Sequence, residues 1–379
     1  MQVRYIALRL VEWRAAWFSD PVERLRFLRH KRRVPIRWTG RAPVIFFAVA
    51  LASVSVALVR PVWRTGPAST MSQPTPRPLT STAASQPGRI WLVESNDHFD
   101  LYSNGLRVEN RFAVATKGRA YLVLPRKGLD SQPARLRFDP AGIVFHTTES
   151  HIAPFEEAQN STLRRAGEGL LEFVNRNRSY HFVIDRFGRV FRIVQESDYA
   201  NHAGHSVWAD DAWVYVNLNQ SFFGVAFEAK SRPDEIGLPA NAAQIHAART
   251  LTDMLRSRYN IPAGNCVAHA QVSVNPDNMR AGYHTDWAAS LPFRELGLGN
   301  NYPCPLPSIV LFGFSGDSLL ADDSNSNLRP ALEAAESELR QQAAARQMPL
   351  DQYREILQRK YREATRAVRS TGALEEINE

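Results

Sequence analysis

The chain has 379 residues, 44% hydrophobic and 22% charged, with 46 Lys/Arg against 38 Asp/Glu and a formal net charge of +8. That length suits one sizeable domain with appendages or two domains, and the composition is that of a globular chain, which excludes wholesale disorder. Residues 1–41 carry eleven Lys/Arg and three Asp/Glu, which is the whole of the excess; the remaining 338 residues hold 35 of each sign, so the globular part has no basic surplus and nucleic acid is excluded as its partner.

Ala42 to Val59 is an uncharged run of 18 residues between Arg41 and Arg60, just long enough to cross a hydrocarbon core. It predicts a transmembrane anchor over 42–60, and the basic arm at 1–41 predicts a cytoplasmic N-terminus. The protein is thus expected in the inner membrane as a single-pass chain, with everything beyond the anchor in the periplasm. A cleaved signal peptide is the rival, but the basic segment is long for one and no small-x-small site follows Val59. A buried core segment is the third reading.

Residues 61–89 are rich in Pro, Ser and Thr and read as a linker. Residues 90–138 hold short apolar runs, Ile90–Val93, Arg111–Ala115 and Ala120–Leu124, separated by turn residues. They predict a small β subdomain or a β extension packed on the main domain.

From 139 to 310 strand and helix patterns alternate. Val144 lies in a strand, Ala158–Asn175 has helical spacing, and a hairpin turns at Asp185–Gly188. Ser221–Ala229 reads as a strand, Ala240–Tyr259 as an amphipathic helix ended by Ile261-Pro262, and Val272–Trp287 as a long loop. The expected fold is α/β, a central mixed sheet flanked by helices. The tail, 327–379, reads as two helices broken near Met348-Pro349, with Leu332, Leu339, Leu350, Ile356, Leu357 and Tyr361 as an apolar seam. That seam either covers the domain's own core or binds an envelope protein partner.

Eight of the ten histidines fall between 146 and 284. His146 closes the apolar run Ile143–Phe145, which puts it at the mouth of a buried strand, and the clustering points to a first-row metal held by imidazole. Cys266 and Cys304 either pair in an oxidising compartment or stay free; Cys266, three residues before His269, is also weighed as a ligand. There is no His-Glu-x-x-His, no Gly-x-Ser-x-Gly and no phosphate-binding glycine loop.

The ordered set Val144-Phe-His146-Thr-Thr, Tyr180-His181-Phe-Val-Ile, Asn201-His202-Ala-Gly204, Asn219-Gln-Ser-Phe-Phe-Gly224-Val, Cys266-Val-Ala-His269 and Asp286-Trp287 resembles the zinc-dependent N-acetylmuramoyl-L-alanine amidases, kin of phage lysozyme-type amidases and peptidoglycan recognition proteins. The resemblance covers about 165 residues and lies in the order of the pieces rather than in any one of them.

It implies Zn2+ as cofactor, peptidoglycan or muropeptides as partner, and cleavage of the amide between N-acetylmuramic acid and L-alanine. It implies His146 and His269 as ligands. The family's third ligand, Asp or Cys, usually follows the second histidine by about eight to ten residues, often in an Asp-Pro-Gly setting; here that window reads Asn275-Pro-Asp277-Asn-Met-Arg280, and His284 is favoured, with Asp286 and Asp277 as alternatives. A catalytic carboxylate is expected at Glu228, two residues beyond its usual place, or at Glu149. Tyr180 and Arg280 are expected at the developing oxyanion, and His202, Asn219 and Thr147 at the substrate. A receptor of the same fold with an altered metal site is the alternative function.

Overall fold

The computed structural model describes residues 86–129, 132–150, 153–204, 206–231 and 240–373. The expected arm, the anchor at 42–60 and the linker as far as residue 85 lie outside them. Among the described residues no helix is long and apolar enough to cross a membrane.

In chain order the elements are β1 (Leu92–Ser95), β2 (Phe99–Tyr102), β3 (Arg107–Glu109), β4 (Tyr121–Pro125), β5 (Arg135–Arg137), β6 (Gly142–Thr147), helix α1 (Asn160–Arg176), β7 (Phe182–Ile184) and β8 (Val190–Arg192). They continue with β9 (Trp208–Ala209), β10 (Trp213–Tyr215), α2 (Leu218–Ser221), β11 (Phe222–Phe227), α3 (Ala242–Tyr259), β12 (Cys266–Ala268), α4 (His269–Val272), β13 (Val274–Asn275) and β14 (Arg280–Ala281). The C-terminal part holds α5 (Pro307–Phe312), β15 (Ser315–Gly316), α6 (Ser318–Asp323), α7 (Asn325–Ala345) and α8 (Leu350–Ala373).

Eight strands form the central sheet in the order β1-β2-β3-β8-β7-β11-β6-β12. It is mixed, as expected: β7, β11, β6 and β12 run parallel, while β7/β8, β1/β2 and β2/β3 are antiparallel. Every residue of β6 and β11 is buried, the pattern of parallel strands covered on both faces. Helix α1 covers one face, setting Leu171 and Val174 against Val183 and Ala226. Helix α3 covers the other, setting Leu251 and Leu255 among Phe145, Phe223 and Phe227. Each buried phenylalanine contributes about 1.5–3 kcal/mol relative to exposure. Helix α3 starts at a capping box, Asn241 with Gln244, and ends on Asn260 in the left-handed region before Ile261-Pro262.

Residues 90–138 form no core of their own. Strand β3 pairs with β8, Val108 is fully buried opposite Val190, and Tyr102 and Leu106 join the same cluster as Phe182 and Phe223. The stretch is the extension of the main sheet, the second of the two expectations, because its apolar residues are too few to close a separate core. Its strands β4 and β5 join β10 and β9 in a four-stranded antiparallel sheet.

The tail helices α7 and α8 break at residues 346–349, near the expected point. Their seam turns inward: Leu339 and Tyr361 are buried, and Tyr361 packs edge-on to Phe312 and Phe314. The expected loop from Val272 to Trp287 contains the hairpin β13–β14, and β15 adds to it in parallel.

Candidate metal centre

Strands β6 and β12 are parallel neighbours with Ala268 opposite Phe145, so their C-terminal ends finish side by side. That is where open α/β sheets place their sites. His146, the penultimate residue of β6, and His269, the first of α4, meet there with ring centroids 4.3 Å apart. Asp286 arrives from the segment after β14, held by Ala270 N–H donating to its carbonyl. Its Oδ1 is 2.7 Å from His269 Nδ1 and its Oδ2 is 3.4 Å from His146 Nδ1. The three residues are buried, and one donor atom from each lies within 4.8 Å of the others.

Burial, reinforced by His269, drives the His146 imidazole down to about 4, so it is neutral at neutral pH. Burial alone would raise the Asp286 carboxyl, but the His269 imidazole hydrogen-bonded to it and the His146 imidazole beside it outweigh the rise and keep the group ionised. His269 Nε2 is buried with no hydrogen-bond partner among the described residues. A buried carboxylate facing imidazoles, with one ring nitrogen orphaned, is a donor set short of a cation. Two imidazoles and a carboxylate are a donor set that fits zinc.

His284, the favoured third ligand, is not in this group. Its exposed ring stacks on His269 with centroids 4.9 Å apart, on the solvent side, and its backbone N–H donates to Ser273 Oγ. Asp286, one of the alternatives, takes the third place. The reason lies in β13 and β14: Gly282 N–H donates to Ser273 O, closing residues 273–282 into a side hairpin that returns the chain beside α4. Asp277 is exposed in that hairpin's turn and takes no part.

The two expected carboxylates also lie elsewhere. Glu228 shares the His146 face of the sheet, as alternation requires, but is buried under α1 beside Gly167 and accepts Arg186 N–H. Burial raises it to about 7, with Asp185 adding to the rise and Arg186 and Arg189 opposing it. Glu149 is tied down by Thr147 Oγ1 and by the N–H and hydroxyl of Ser231. Thr147 is buried with its hydroxyl hydrogen-bonded to Glu149 and Ser231. Arg280 is exposed and pairs with Asp317 at 3.5 Å.

Tyr180 is at the site as expected. Its ring lies 5.1 Å from that of His146, and burial together with the Asp286 charge raises its hydroxyl, which stays protonated. A cavity of about 430 Å³ opens beside it, lined by Thr148, Ser150, Leu170, Phe173 and Ser179. Asn219 serves the fold: its Oδ1 accepts the N–H groups of His202, Ala203 and Gly204. His202 touches His146, and His181 is a satisfied core histidine, its Nδ1 accepting Gly224 N–H. Both cysteines are free, Cys266 buried and Cys304 exposed.

Composition and spacing gave no sign of Asp323 or Arg119. Thr285 Oγ1 donates to Asp323 Oδ2 at 2.7 Å, which fastens the residue next to Asp286 to the end of α6. Arg119 is buried and its guanidinium donates to the carbonyls of Gln220, Phe222 and Asp198.

Among solved structures, the chain is similar to AmpDh3 of Pseudomonas aeruginosa, solved in complex with an anhydromuramic pentapeptide, at 23% identity and a TM-score of 0.32. The match covers 45% of this chain and 66%, just under two thirds, of that one. AmiD of E. coli, an N-acetylmuramyl-L-alanine amidase solved with its substrate, is 22% identical over 47% of this chain and 66% of its own, with a TM-score of 0.33. The Drosophila peptidoglycan recognition protein SD is 19% identical over 38% of this chain and 80% of its own, with a TM-score of 0.26. No curated protein sequence matches the chain. Residues 137–286, which run from the end of β5 to Asp286 and so hold all three donors, match the family described as N-acetylmuramoyl-L-alanine amidase.

Proposed function

We propose that this chain is a zinc-dependent peptidoglycan amidase that hydrolyses the bond between the lactyl group of N-acetylmuramic acid and L-alanine of the stem peptide. We place it on a single-pass anchor at residues 42–60, with the domain in the periplasm. The observation that carries the catalytic reading is the buried His146–His269–Asp286 group within the stretch that matches the amidase family.

His146, His269 and Asp286 would hold zinc, which would supply Lewis acidity toward the carbonyl and lower the pKa of water. The remaining work falls to the chain. Tyr180, kept protonated, donates its hydroxyl to the carbonyl oxygen as charge gathers there. The cavity beside Tyr180 takes the substrate flanking the scissile amide. Water adds to the carbonyl carbon, the C–N bond breaks, and the proton lost by water ends on the leaving amine. His284, exposed at the rim and stacked on His269, is the group placed to carry that proton.

His284→Ala should therefore lower kcat about 100-fold or more while zinc affinity stays within a few-fold. A chelator titration beside a rate assay separates the two, and parallel loss of zinc would return His284 to the ligand set. One observation favours a non-catalytic receptor of the same fold: the carboxylates of Glu228 and Glu149 are both engaged by hydrogen bonds within the fold. Incubation with purified muropeptides decides. Release of free stem peptide that stops on chelation and returns with added zinc supports the amidase; tight binding without release supports the receptor.

A further inference from the structure

His202 stands behind His146, and its contacts dictate where the protons on both rings must be. His202 Nε2 lies 3.2 Å from the carbonyl oxygen of Phe222. A carbonyl only accepts, so Nε2 carries the hydrogen, and His202 Nδ1 is left with a lone pair. That Nδ1 lies 3.1 Å from His146 Nε2, which must then be the N–H. A neutral imidazole holds one such hydrogen, so His146 Nδ1 is bare and faces Asp286.

The ring of His202 is fixed on every side. Its backbone N–H is held by Asn219 Oδ1. Gly224 leaves the space it occupies, since a Cβ at that position would sit 2.6 Å from His202 Cγ. Phe222 O, which takes its Nε2–H, also accepts from Arg119 Nη1 at 3.3 Å. Arg119 lies outside the stretch that matches the amidase family, in the extension of the sheet.

We infer that His202 is a positioning residue, not a substrate contact: it fixes His146 as the Nε2–H tautomer so that Nδ1 is presented to the metal, and Arg119 in the sheet extension holds the carbonyl that orients it. The inference rests on the zinc reading above. It gives residues 90–138 a part in the site and explains why the loop around His202 is pinned three times by one asparagine. Outer hydrogen-bond partners of this kind are worth 10–100-fold in metal affinity.

The test is zinc affinity of the full-length chain by chelator competition, beside the imidazole nitrogen resonances of the metal-free protein labelled at histidine. The wild type should show His146 as the Nε2–H form. His202→Ala should bind zinc about 10–100-fold more weakly and show His146 in mixed tautomers. His202→Asn, whose side-chain oxygen can accept in place of Nδ1, should recover most of the affinity, whereas His202→Phe, which fills the volume without an acceptor, should not. If His202→Phe folds and matches the wild type in affinity and tautomer, the inference is overturned while the zinc reading stands. If the wild type itself binds no zinc, both fall together.

Discussion

Asp286→Ala is expected to weaken zinc binding on the order of 1000-fold, about 4 kcal/mol, and to abolish amide hydrolysis at ordinary zinc concentrations. The figure is that of removing one partner from a buried charged cluster. The carboxylate sits between both imidazoles, 2.7 Å from one and 3.4 Å from the other. It also accepts Thr147 N–H. Without it, two neutral rings face a cation with no opposing charge. Isothermal titration of the variant checks the affinity. Retention of wild-type affinity, with loss instead in His284→Ala, would overturn the donor set argued from the geometry. The distinction matters chemically: two imidazoles and a carboxylate leave a zinc site at +1, and three imidazoles would leave it at +2 and its water a stronger acid.

The second large effect is on stability. Glu228 has its carboxyl raised from 4.5 to about 7 by burial. Between those two values the folded chain keeps a proton that the unfolded chain has lost. Stability contributed by the neutral carboxyl is therefore complete below about pH 4.5 and falls as pH rises to about 7, by up to about 3 kcal/mol. Glu228→Gln keeps an acceptor for Arg186 N–H and has no proton to lose. It should flatten the pH dependence between 5 and 8 and make the protein more stable than wild type at pH 8 by about 2–3 kcal/mol. Urea unfolding at pH 5.5 and pH 8 reads this directly. Because the carboxyl lies under α1 with Arg186, hydrolysis should survive the change; loss of turnover in a folded, zinc-loaded variant would restore it as a base.

These two residues also show where sequence reading succeeds and where it stops. His146 and His269 were legible because each follows an apolar run that can only be a buried strand, and parallel neighbours bring such ends together. The hairpin at Asp185–Gly188 and the helix read over Ala240–Tyr259 were legible from local pattern, a turn that needs glycine at a positive φ and apolar residues at helical spacing ahead of Ile261-Pro262. The third donor was hidden because linear spacing does not show that residues 273–282 close on themselves. Glu228 had the right face by strand alternation, but which helix would cover it depends on packing. Thr147 and Asn219 looked like groups for a ligand because nothing in a sequence tells whether a polar side chain is already satisfied; the structure gives each of them internal partners. Whether 90–138 forms a subdomain or an extension stayed open in the sequence because the pairing of β3 with β8 joins segments about 80 residues apart.

The fastening of Thr285 to Asp323, together with the pairing of β14 and β15, has a consequence in time. The segment carrying Asp286 leans on residues 315–323, which follow it in the chain. A ribosome delivers His146 first, His269 next and this brace last. The two histidines can be solvated and the sheet largely formed while the carboxylate is still unsupported. A chain interrupted just past Asp286 would hold every donor yet lack the part that holds them in place. The donor group is thus braced only after residues 315–323 have been made.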